Sequence, residues 1–220
     1  MYTRRLSLAS LALLFCLSSA PAVKADEIAV WNFNDSNLIV DRGQGTLTTT
    51  ANPANITFLP GTTFLAAAGD PAGMALFIQA GENLQNNGLI LLVRVSTVGF
   101  TNITVSWASQ RSDTGFSNLV VQESSDGGMT FDGFSSGTPA TNFWGGNHIT
   151  FFPGSPIENN PLFTLRFTIT GATSEAGTLG LDNIVISGTQ IVPEPATMLL
   201  LSAGLAGVAA EVRRRRRSRK

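Results

Sequence analysis

Phe163-Thr164-Leu165-Arg166-Phe167-Thr168-Ile169-Thr170 is the stretch that decides the fold class. Large apolar residues alternate with threonines and one arginine, and successive side chains of an extended chain point to opposite faces. This period of two predicts a strand with one buried and one wet face. Ile103, Val105 and Trp107 repeat the pattern against Thr104, Ser106 and Ala108, which puts Trp107 on a buried face. Outward from these two runs, Glu27 to Phe33 reads as an opening strand. Gly88 to Val95 is nearly continuous apolar, as in a strand covered on both faces. Leu119 to Glu123, Ile149 to Phe152 and Asn183 to Ile186 add shorter strands. Gly, Asn, Pro, Ser and Thr fill the gaps. No amphipathic helix of useful length appears, and Ala66 to Ala68 is too short, flanked by Gly69 and Pro71. The pattern predicts an all-β fold, an antiparallel β-sandwich of jelly-roll type over residues 26–190.

Both ends of the chain read differently. Met1 to Ala25 has Arg4 and Arg5 ahead of an apolar run from Leu6 to Leu17, then Val23-Lys24-Ala25 before Asp26. That is the layout of a secretory signal peptide, with small residues at the −3 and −1 positions of the cleavage site. Residues 191–220 hold three signals in order. Val192-Pro193-Glu194-Pro195 is a stiff breaker, because proline fixes φ and lacks an N–H. Ala196 to Val212 is charge-free except for Glu211. As a helix it spans roughly 25 Å at ~1.5 Å per residue, at the low end of what crosses a bilayer. Arg213, Arg214, Arg215, Arg216, Arg217, Arg219 and Lys220 form a cationic stop, which the positive-inside rule places in the cytoplasm.

The net charge of −1 for the whole chain hides an asymmetry. Between Asp26 and Ile191 stand only four cations, Arg42, Arg94, Arg111 and Arg166, against thirteen carboxylates, which leaves −9. A lysine-free, acidic surface argues against nucleic acid or anionic lipid as partner. The one cysteine, Cys16, lies in the signal region, so no disulfide staples the domain.

The order Pro-Glu-Pro, short apolar helix and terminal arginine cluster resembles the PEP-CTERM protein-sorting signal of Gram-negative, exopolysaccharide-producing bacteria. The resemblance covers Val192 to Lys220. It implies export, recognition by exosortase, a membrane-embedded cysteine transpeptidase-like enzyme, and cleavage near Pro193-Glu194-Pro195. The helix would then hold the protein in the inner membrane only transiently, on the way to the cell surface or extracellular matrix. The body is similar, more loosely, to other exported PEP-CTERM proteins, which open with a strand like Ala29-Val30-Trp31-Asn32-Phe33 and close with one like Leu181-Asp182-Asn183-Ile184-Val185-Ile186. Such bodies resemble jelly-roll carbohydrate-binding modules. The resemblance implies neighbouring first and last strands and exopolysaccharide as a partner.

Candidate sites follow from residue chemistry. Phe143-Trp144-Gly145-Gly146-Asn147-His148 reads as a loop in which Trp144, with Asn142, Asn147 and His148, would form a sugar platform, an aromatic ring packing on the apolar face of a sugar. Asp182 and Asn183, with Asp26, Glu27 or Asp35, would gather oxygen ligands for a structural calcium ion; no other cofactor is expected. Ser124-Ser125-Asp126-Gly127-Gly128-Met129-Thr130-Phe131 fits an Asp-box pattern and reads as a hairpin turn with Phe131 anchored in the core. His148 is the only histidine and no nucleophile-elbow motif is present, so the chain is expected not to be an enzyme. The alternatives are a secreted glycan-active hydrolase, drawing on Asp113, Glu123, Asp126 or Asp132 as paired carboxylates, and a surface protein held permanently by Ala196 to Val212.

Overall fold

The computed structural model describes residues 25–191 and 204–205. The signal peptide before Ala25, Val192 to Pro195, the apolar run apart from Gly204 and Leu205, and the basic stop lie outside the described residues. Among the described residues no helix is long and apolar enough to cross a membrane.

The alternating segment forms the centre of a five-stranded antiparallel sheet. Its strands are β3 (Thr46–Thr49), β6 (Leu89–Val95), β8 (Asn118–Ser124), β9 (Asp132–Gly137) and β12 (Phe163–Thr170), in the order β3-β6-β12-β8-β9. Phe163, Leu165, Phe167 and Ile169 are at most 1 % exposed, and Phe167 stands between Leu91 and Val121 on its neighbours. The other face matches the expectation except at Thr164, which is fully buried. Its hydroxyl donates to the Leu162 carbonyl at 3.2 Å, so this buried donor is satisfied locally. β6 corrects the sequence reading. Leu89, Leu91, Val93 and Val95 are buried, but Ile90 and Leu92 are only half-buried and Arg94 is exposed. The outer face of this sheet stays partly open, so the apolar run is covered on one side only.

The second sheet is built around β13 (Thr178–Gln190). Along one side runs β7 (Phe100–Arg111); on the other, β5 (Met74–Gln79) takes the first half and β1 (Asp26–Trp31) the second. The sheet is completed by β2 (Arg42–Gly43) on β1, β4 (Ile56–Pro60) on β5, and β10 (Ala140–Thr141) and β11 (Gly145–Thr150) on β7. All these pairings are antiparallel except the two-residue β10–β7 pair. Asp26 lies opposite Gly188 and Trp31 opposite Ile184, so the first and last strands are neighbours as expected. The assignment of Gly145 to His148 as loop is overturned, because these residues pair with Ser109 to Ser106.

The inner faces of the two sheets enclose one core, in which Trp107 meets Phe167 edge-on at 5.2 Å and 90°. The outer face of the second sheet is covered by the segment linking β4 to β5. There Ala67 packs on Val30 and Val185. The fold is therefore the antiparallel β-sandwich of jelly-roll type that the alternation predicted. Replacing Phe167 by Ala should lower the unfolding free energy by ~3–5 kcal/mol, whereas Ala at the 82 % exposed Met129 should change it by less than ~0.5 kcal/mol. Urea denaturation of the two variants checks the contrast.

Candidate functional site

The core is not sealed where the edge strands β9 and β11 face each other. On β9, Gly137 and Ser135 lie opposite the buried Leu119 and Val121 of β8 and share their inward face. On β11, Asn147 lies opposite Trp107 and Ile149 opposite Val105, so these two also point inward. Glycine and serine at the β9 positions leave a gap that larger side chains would fill. The gap is a groove of about 450 Å³ floored by Val121, Ile149 and Phe151. Glu123, Gly133 and Ser135 form one wall, and Thr150 with Phe152 to Ser155 the other. Two smaller recesses extend it. One, of about 70 Å³, reaches Trp107, Asn147 and His148; the other, of about 60 Å³, reaches Asp132 and Ile157.

Adjacent phenylalanines on this wall divide the work. Phe151 is buried and meets Phe163 edge-on at 5.9 Å. Phe152 is 86 % exposed and lines the groove, so its ring is free to stack on a ligand. The acidic end is held by a tight turn of backbone. Gly133 has φ +62°, and a Cβ there would lie about 2 Å from the Glu123 carboxylate, so the carboxylate rests against bare backbone. Burial raises the Glu123 pKa, its own backbone N–H opposes this, and the like charge of Asp132, its cross-strand partner, raises it further. At the other end the Nε1–H of Trp107, a residue only 3 % exposed, finds no acceptor among the described residues.

The sequence-predicted sugar platform is not assembled. Asn147 faces inward and donates to the Ser109 hydroxyl at 3.0 Å, while His148 lies on the opposite face of the strand, hydrogen-bonded to Thr150 Oγ1 at 2.9 Å. Trp144 is half-buried, edge-on to Phe77 at 6.0 Å. Asn142 has φ +61° and donates to Asp113 at 2.8 Å. Of the four, Asn147 and His148 border the groove's narrow recess, and only Asn147 turns its side chain inward. Missed from the sequence were Phe152, Ser135 and Thr150. The Phe151-Phe152 pair was a usable signal, since extended chain cannot bury two successive side chains on one face.

The proposed calcium ligands on β1, Asp26 and Glu27, lie far along the sheet from Asp182. Asp26 lies opposite Gly188, six residues along β13 from Asp182, roughly 20 Å at ~3.3 Å per residue. Among the described residues no group of three or more His, Cys, Asp or Glu is placed to hold a metal. Asp182 and Asn183 instead fasten the β4–β5 segment over the outer face. Asp182 Oδ2 accepts from the Thr62 N–H at 2.8 Å and Oδ1 from the Asn183 N–H at 2.8 Å. Asn183, at a bulge with φ +51°, donates to the carbonyls of Thr62 and Phe64. Both carboxylate oxygens and the Asn183 amide nitrogen are thus engaged in holding the segment. The Asp-box segment is a turn between β8 and β9, as expected. Asp126 accepts from the Ser124 hydroxyl, the N–H of Met129 and both donors of Thr130, which hold its pKa well below the usual range. Phe131 is not in the core, however. It lies beneath the Arg166 guanidinium at 3.9 Å on the sheet's outer side.

Residues 192–217 match the PEP-CTERM protein-sorting motif. No curated protein matches the chain. Similar solved structures include the K3 cleaved adhesin domain of Lys-gingipain from Porphyromonas gingivalis W83, with a TM-score of 0.48, 14 % identity, and 74 % of this chain and 99 % of that one covered. The CBM22-1 xylan-binding domain of Xyn10C from Paenibacillus barcinonensis gives 0.45 and 11 %, covering 78 % and 100 %. TmCBM61 in complex with β-1,4-galactotriose gives 0.42 and 10 %, covering 64 % and 86 %. These likenesses are of fold.

Asp182 gives a pH test of the fastening. Burial pushes its carboxyl up to about 7 from an ordinary 3.8, against the two N–H donors and with Asp41 and Asp70 adding to the rise. The folded chain therefore holds a proton that the unfolded chain has lost. The stabilisation is whole below pH 3.8 and is lost as pH rises to about 7. Unfolding free energy should fall across that window, and Asp182→Asn should flatten the fall.

Proposed function

We propose that this protein is exported, delivered to exosortase by Val192 to Pro195 and trimmed there, and that its β-sandwich then serves at the cell surface or in the exopolysaccharide matrix as a glycan-binding module. The PEP-CTERM motif at residues 192–217 carries this reading. The motif makes exosortase-dependent sorting the route. In this reading Ala196 to Val212 sits in the inner membrane during transit, and the arginine block holds the cytoplasmic side until processing.

The groove supports the binding half. It combines a free aromatic ring, an apolar floor and hydroxyls from Ser135 and Ser155, the mixture that sugars require because each ring has an apolar face and a polar rim. A second reading, a secreted glycan-active hydrolase, draws on the Glu123–Asp132 pair, since a partly buried carboxyl beside a carboxylate is one way a general acid is kept protonated.

Phe152→Ala should weaken binding to matrix polysaccharide at least about tenfold, as expected for losing one stacking residue, with unchanged thermal stability. Ser135→Leu, which fills the groove, should abolish binding. Retention of full affinity by both variants in a pull-down with isolated matrix polysaccharide overturns the assignment. Mass spectrometry of surface protein should find a C-terminus near Pro193 to Pro195. An intact Arg213 to Lys220 tail would establish permanent anchoring instead. Release of reducing sugar that stops in Glu123→Gln would establish the hydrolase.

A further inference from the structure

The carboxylates of the groove lie at one end only, and among the described residues no arginine or lysine lines it. Glu123 and Asp132 meet across β8 and β9, both bordering the recess beside Ser125 and Ile157. None of the body's four arginines lines the groove or its recesses. Arg42 is bound to Glu27 and Asp70, Arg111 to the carbonyls of Ser112 and Asp113, and Arg166 to Gln122 over Phe131. Arg94 is exposed on β6, two strands from β8. The two carboxylates thus face the groove without a counter-charge.

Two observations independent of that pair mark the same groove as built for a ligand. Phe152 is 86 % exposed at its lip. The buried Trp107, which borders the narrow recess, keeps an Nε1–H without an acceptor among the described residues. From Leu119 at the narrow recess to Glu123 at the acidic one the groove follows four residue steps of β8, roughly 13 Å at ~3.3 Å each, long enough for more than one sugar ring.

Resting on the reading of the groove as a glycan site, we infer that it selects polysaccharides bearing free amino groups, with the ammonium seated between Glu123 and Asp132 and a ring on Phe152. A uronate chain would bring further negative charge into a half-buried acidic recess that no described arginine or lysine lines, at a desolvation cost. A neutral N-acetylated chain would stack on Phe152 but leave the carboxylates unpaired. An ammonium supplies N–H donors and the missing charge together.

The test titrates the full-length chain, by calorimetry at mildly acidic pH where sugar amines carry their proton, with chitosan oligomers, their fully N-acetylated counterparts and oligogalacturonate. The amine-bearing oligomer should bind about tenfold tighter than the N-acetylated one, ~1.4 kcal/mol. The difference should collapse in Glu123→Gln and shrink in Asp132→Asn, each checked for an unchanged melting curve. Added salt should narrow it, and oligogalacturonate should not bind measurably. Equal affinity for the first two, or a preference that survives both substitutions, overturns the amine selectivity. If Phe152→Ala still weakens binding in that case, the groove remains the glycan site. Binding by none of the three oligomers overturns the selectivity and removes its footing in this groove.

Discussion

One strand, β13, is hydrogen-bonded to three others, and the rest of its own sheet is registered against it. β7 runs along one side, while β5 and β1 share the other. Against β7 the strand breaks register between Asp182 and Val185 and again between Ser187 and Thr189. The first bulge turns Asp182 and Asn183 onto the β4–β5 segment and holds it over the outer face. Ladder pairing satisfies the backbone, and the bulge converts two polar side chains into a clasp.

The same logic of edges produces the groove. A sheet edge is a liability for pairing with other chains, and short or irregular edge strands blunt it. Here the edges are β9, with glycine at Gly133 and Gly137, and β11, which starts at Gly145-Gly146. Lack of side-chain bulk at the β9 edge leaves the two sheets unsealed over Val121, Ile149 and Phe151. The opening is therefore a consequence of how this sandwich ends its sheets, and the free ring of Phe152 stands at its lip.

Charge separates the parts of the molecule. The body carries thirteen carboxylates against four arginines, and the final eight residues are nearly all cationic. Three of the four body arginines are engaged with neighbours on the protein, so the acidic character of the groove is not relieved by mobile cations of its own. Removing the tail, in the proposed processing, would release a strongly acidic domain whose self-repulsion favours solubility in a hydrated matrix.

The fold class was legible in the sequence because period-two alternation is a local property: Phe163 to Thr170 and Ile103 to Trp107 show which face is buried without reference to any partner. The sorting motif was legible for the same reason, being a linear order of proline, apolar run and arginine. The turn at Asp126 was readable from spacing alone. Whether β6 is covered on one face or two depended on a third layer, and no local pattern reports that. The platform around Trp144 failed because strand pairing with β7 sends Asn147 and His148 to opposite faces, and the calcium set failed because β1 runs antiparallel to β13, carrying Asp26 away from Asp182. The groove lies between strands distant in sequence, so only the tertiary packing of two sheet edges, with small residues at each, could create it.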